Sequence, residues 1–160
     1  MTKTNTKELE QLWNRWLGKS DDVLALLHQQ TAALTMRQVE RLEALQPELD
    51  AEMEAMGEID SKAATCAKGL AEEYGCEPHL RGLVNVLEKA DAQRVQALAN
   101  KVIVAGRNVQ RVIEKNKALI ENELEYVNGS LTVICTETQK SDGPYAPRRT
   151  QANVLMNQAA

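Results

Sequence analysis

Apolar residues over 109–134 fall in adjacent pairs that recur every seven residues: Val112/Ile113, Leu119/Ile120, Tyr126/Val127 and Val133/Ile134. Neighbouring residues on an α-helix point about 100° apart, and a heptad returns to nearly the same direction. The segment is therefore a helix with two apolar stripes, and Leu124 and Leu131 widen the second. A two-stranded coiled coil needs one narrow seam. A second stripe must be buried against further helices or be kept for a partner. Glu114, Lys115, Lys117, Glu121, Asn122, Glu123 and Glu125 interrupt it, so the helix is amphipathic and too polar to span a membrane, which needs about 20 largely apolar residues.

Helical periodicity begins at Leu9 and continues through Leu12, Trp16, Val23, Leu27 and Leu34, with Trp13 and Leu17 on the same face. The stretch 18–22 (GKSDD) leaves an interruption open, with Gly18 ending a short helix and Ser20 capping the next, although the stripe keeps its phase across it. Thr35 and Gln38 have the capping-box spacing, with Thr35 as N-cap, which allows a helix boundary near 35 without requiring one. From Leu42 the repeat runs through Leu45, Leu49, Met53, Met56, Ile59, Ala63, Cys66 and Leu70. Pro47 interrupts that run and either bends one helix or opens a new one, with helix on both sides. Met36, Met53 and Met56, at helical spacing, are expected in the core.

Residues 74–78 (YGCEP) form the clearest break. Glycine suits the left-handed position after a helix end and proline the first turn of the next, so the chain is expected to reverse there. One helix is then expected from about 78 to about 137, with Gly106 as a candidate bend. Beyond Cys135, Gly143, Pro144 and Pro147 end the periodicity. The expected architecture is all-α: long antiparallel helices in a hairpin or a three- to four-helix bundle over 1–138, and a flexible tail over 139–160 that carries Tyr145 and the run Val154, Leu155, Met156.

Composition sharpens this. Aromatics are 3% and phenylalanine is absent, so the core must be aliphatic, as suits packed helices. With 19 basic and 23 acidic residues in 160, net charge −4, there is no basic stripe for nucleic acid. The polar start MTKTNTKELEQL has no apolar signal region. Three widely spaced cysteines, Cys66, Cys76 and Cys135, read as reduced cytosolic thiols, not a disulfide framework. No metal-ligand spacing, phosphate loop or nucleophile–base couple is visible, and His28 and His79 read as solvent-facing. The reading is of a non-enzymatic protein without metal, cofactor or stable membrane insertion.

The residues Asn116 to Glu121 (NKALIE), then Leu124 to Asn128 (LEYVN), Leu131 to Ile134 (LTVI), a polar linker and Tyr145 resemble the C-terminal half of FlgN-type flagellar export chaperones. Leu26 to Leu34 and Val39 to Leu45 are similar to that family's N-terminal helices. Tyr145 is followed by Ala146, Pro147, Arg148 and Arg149, without the glycine of the family's tail element. The resemblance implies a bacterial, cytoplasmic chaperone that binds hook-associated proteins, prevents their early assembly and delivers them to the export gate and its ATPase components. It implies a subunit-binding surface on the last helix, with Ile113, Asn116, Ile120, Leu124, Val127, Leu131 and Ile134 as candidates, and Tyr145 as the gate contact. The alternative is a self-associating coiled-coil scaffold, and a homodimer stays open in either case.

Overall fold

The computed structural model describes residues 6–141, with side chains through 137. It contains four helices in order: α1 (Lys7–Thr35), α2 (Val39–Tyr74), α3 (Leu80–Val86) and α4 (Lys89–Ser141), with no strand among the described residues. The all-α expectation therefore holds. The chain divides into two compact units, Met1–Ile120 and Glu121–Ala160.

In unit 1, α1 and α2 form an antiparallel hairpin. Leu9, Leu12 and Trp16 near the start of α1 share a core cluster with Ile59, Ala63, Leu70 and Ala71 from the far half of α2. Further along, Val23 and Leu27 meet Leu49. Lys19 Nζ donates to Glu52 Oε2 at 2.8 Å across the same pair, and that hydrogen bond raises the lysine's pKa. The first part of α4 runs parallel to α1 and closes the bundle. Arg94 lies 3.6 Å from Glu10, Val102 and Ala105 pack on the first cluster, and Val109, Val112 and Ile113 join the second. Gly106 lies beside the Trp16 ring inside an unbroken helix, so no break falls there. Full burial of each large aliphatic side chain contributes about 1.5–3 kcal/mol, which is how an aliphatic core holds three helices together.

α1 is continuous through 18–22; Ser20 is buried and donates to the Leu17 carbonyl at 2.7 Å. The boundary near 35 is real, but the capping box is not. Thr35 still belongs to α1 and its hydroxyl donates to the Thr31 carbonyl, as helical threonines do. Instead Arg37 turns left-handed (φ 53°), Gln38 N–H reaches the Ala33 carbonyl and Arg37 N–H the Leu34 carbonyl, a Schellman ending without its usual glycine. Gln38 is the N-cap of α2 and makes no side-chain cap bond.

α2 continues past Pro47, so that residue opens no new helix. Pro47 and Glu43, whose carbonyl loses its intrahelical donor, are both solvent-exposed, where water can serve the carbonyl. Leu45 and Leu49 on the opposite side are buried and hold both halves to the core. Of the three methionines expected inside, only Met56 packs against the clusters; Met36 and Met53 are exposed.

The reversal after Tyr74 forms as expected, with Gly75 at φ 66° and Cys76 N–H bonded to the Ala71 carbonyl at 2.9 Å. The single helix expected over 78–137 does not form. It is broken at Leu87, which is extended, between short α3 and α4. His79 caps α3, and Pro78 precedes the helix and does not lie in its first turn: His79 Nδ1 accepts from Gly82 N–H at 3.0 Å, while Nε2 meets Glu77 Oε2 at 2.6 Å. A Cβ on Gly82 would lie 2.6 Å from the Glu77 carbonyl oxygen, so this fold-back admits only glycine. The break returns Leu83 to the first core cluster. A straight α4 would carry it about 14 Å beyond Ala92.

Candidate surface for a helical partner

The α4 seam that packs unit 1 has a 3/4 spacing: Val95, Leu98, Val102, Ala105, Val109, Ile113, Asn116. In sequence the same spacing continues through Ile120, Leu124, Val127, Leu131 and Ile134. Burial divides these positions. Val95 and Val109 are buried and Ile113 is half-buried against the second cluster. Ile120, the last residue of unit 1, is 41% exposed.

Asn116, expected on the partner surface, lies inside unit 1 at 2% exposure. Its Nδ2 donates to the Leu27 carbonyl at 3.0 Å and to Gln30 Oε1 at 2.8 Å. Thr31 Oγ1 is 2.5 Å from Asn116 Oδ1 and 3.0 Å from the Leu27 carbonyl. The hydroxyl has one proton, and Oδ1 is the closer acceptor, so Thr31 donates to Asn116. All of the amide's main hydrogen-bonding capacity is thus engaged within the bundle. A partner could reach Asn116 only by opening unit 1, and Ile113 is already partly covered there.

Unit 2 is different. Leu124, Tyr126, Val127, Leu131, Val133 and Ile134 are all between 49% and 59% exposed. Sequence reasoning assigned Leu124, Val127, Leu131 and Ile134 to the surface and left out Tyr126 and Val133, although the paired heptad repeat already marked them. Glu121, Glu123, Glu125 and Glu137 are the charged residues of 121–137, with no lysine or arginine among them. The surface is apolar with acidic edges. Tyr145 lies outside the described residues.

Nothing elsewhere among the described residues competes as a chemical site. Among the described residues no three His, Cys, Asp or Glu side chains are grouped as metal ligands. An open groove of about 560 Å³ between α3 and the start of α4 is lined by Val84, Leu87, Gln93 and Gln96, with Lys89 as its one titratable group. Burial, then the nearby Glu8 charge, pushes the Cys66 thiol up, which leaves it protonated and unreactive at neutral pH. No described helix is long and apolar enough to cross a membrane.

The described residues thus hold a helical bundle and, in unit 2, a helix with exposed apolar side chains. The sequence matches the FlgN protein family over residues 1–151, and the chain belongs to that family. Membership supports a flagellar export chaperone role in general. No curated protein and no solved structure matches the chain.

Proposed function

We propose that the chain is a cytoplasmic chaperone for hook-associated flagellar proteins, which it keeps from assembling early and hands to the export gate. The observation that carries this reading is the row of exposed aliphatics on α4: Ile120, Leu124, Val127, Leu131 and Ile134. Subunits that assemble through amphipathic helices carry an apolar helical face. A chaperone that offers a matching face holds that surface by helix-to-helix packing. The five side chains are already about half covered, so each has roughly 1 kcal/mol left to gain from a partner, and the partner's face gains a similar amount. The gross gain, about 10 kcal/mol, less the cost of association and ordering, favours reversible binding in the micromolar range or weaker. Reversibility suits a carrier that must release its cargo. Tyr145 is assigned to the gate contact by family resemblance.

The test is direct. Leu124→Asp and Ile120→Asp are each expected to abolish binding to the cognate hook-associated protein in isothermal titration, with helical circular dichroism unchanged. Unchanged affinity in both would remove the surface from this role. Tyr145→Ala is expected to keep subunit binding and lower export in a secretion assay; normal export would release Tyr145 from the gate assignment. A stable homo-oligomer that binds no hook-associated protein would support the scaffold reading instead.

A further inference from the structure

We propose that unit 2 docks two amphipathic helices of one exported subunit, one along each of two separate apolar stripes. The inference rests on the reading that this surface binds such a subunit, and it specifies the form of the ligand.

The first stripe is Leu124, Val127, Leu131 and Ile134, at spacings of three, four and three. The second is Tyr126 and Val133, seven apart. At 100° per residue their centres lie roughly 130° apart around the helix. Glu123 and Ser130 fall between them and are half-buried, so a polar row separates two apolar tracks. A single packed helix covers a narrow seam and cannot reach both.

Unit 1 supplies the scale. There α4 packs against core clusters built from both α1 and α2. The residues of α4 that pack on those clusters span from Ile113 round to Val112, roughly 100° of its circumference. In unit 2 the arc that holds the exposed apolar side chains, from Leu124 round to Val133, is roughly 180°. An arc at least as wide as two helices cover in unit 1 fits a two-helix ligand. Charge adds the partner's chemistry. Glu121 and Glu125 flank the first stripe on its outer side, and Glu123 stands between the two tracks. Helices bordered by lysine or arginine meet these carboxylates without leaving a like charge opposed.

The experiment uses the full chain and each hook-associated protein of the same organism, by isothermal titration and by size-exclusion chromatography with light scattering. Leu124→Asp tests the first stripe; Tyr126→Asp with Val133→Asp tests the second. All three side chains are exposed, so no core is disturbed, and Tyr126→Ser with Val133→Thr provides a milder second-stripe variant. The proposal expects a one-to-one complex, at least about a tenfold loss of affinity from either stripe, a smaller loss from Glu123→Lys, and weaker binding as salt rises. Loss from Leu124→Asp alone, with both second-stripe variants at wild-type affinity, would overturn the two-helix ligand and leave the chaperone reading standing. Wild-type affinity in all variants would overturn both. A complex holding two copies of this chain, with the second stripe between the copies, would also overturn the proposal.

Discussion

Asn116 shows how one residue changes meaning with its surroundings. By spacing it belongs to the apolar seam of α4, and by burial it is a satisfied polar group in the core of unit 1. Removing its amide should therefore cost stability and not affinity. Asn116→Ala leaves a cavity and takes a donor from the Leu27 carbonyl and from Gln30 Oε1, while the Thr31 hydroxyl turns to the Leu27 carbonyl, and it is expected to cost about 2–3 kcal/mol in urea denaturation. Asn116→Leu fills the space and is expected to cost clearly less; equal losses would mean that the hydrogen bonds, not the packing, dominate. Two left-handed residues give opposite predictions. Gly75→Ala places a side chain at φ 66° and should lower stability by about 1–2 kcal/mol. Arg37→Gly relieves the same conformation at φ 53° and should be neutral or stabilising by up to about 1 kcal/mol, once the added freedom of the unfolded chain is counted. Cys66 carries a pH sign. Its pKa is raised above 9.0 in the fold, so the folded state favours the thiol, and that contribution is present below pH 9.0 and lost as pH rises through the folded value. Stability that does not fall above pH 9.0 would contradict its burial.

At the scale of elements, Pro47 and the α3–α4 break repay comparison. Proline in a periodic run predicts a kink or an end, yet α2 continues because Pro47 faces solvent and buried leucines anchor both sides. Pro47→Ala restores the donor to the Glu43 carbonyl and is expected to stabilise α2 by at most about 3 kcal/mol, read as a rise in the urea midpoint. The break at Leu87 had no such warning. The run Leu80, Leu83, Val84, Leu87 keeps helical phase with the seam of α4, and only the pull of Leu83 into the first cluster shows why the helix stops. The end at Tyr74 was legible because chain reversal at a glycine has a local signature. The capping box at Thr35 misled, because the same residues serve a helix end as readily as a helix start.

For the whole molecule, the proposed reading assigns stability to the first unit and binding to the second. Substitutions on the buried seam, such as Val109→Asp, are expected to unfold unit 1, whereas Leu131→Asp should leave the urea midpoint within about 0.5 kcal/mol of wild type, because an exposed position away from special features has little effect. An equal loss from both would mean that the second unit's apolar face is buried in the free protein. Sequence alone determined the helical class, the aliphatic core, the reversal at Gly75 and the doubled stripe, since each depends on spacing or on the conformational preference of one residue. It also carried the family resemblance. Tertiary structure decided which stretch of one continuous periodic seam is consumed and which is left open, setting Ile113 and Asn116 inside and Leu124 to Ile134 outside. The reason is physical: periodicity records the direction of an apolar side chain on its helix, while burial depends on whether another helix lies alongside at that height.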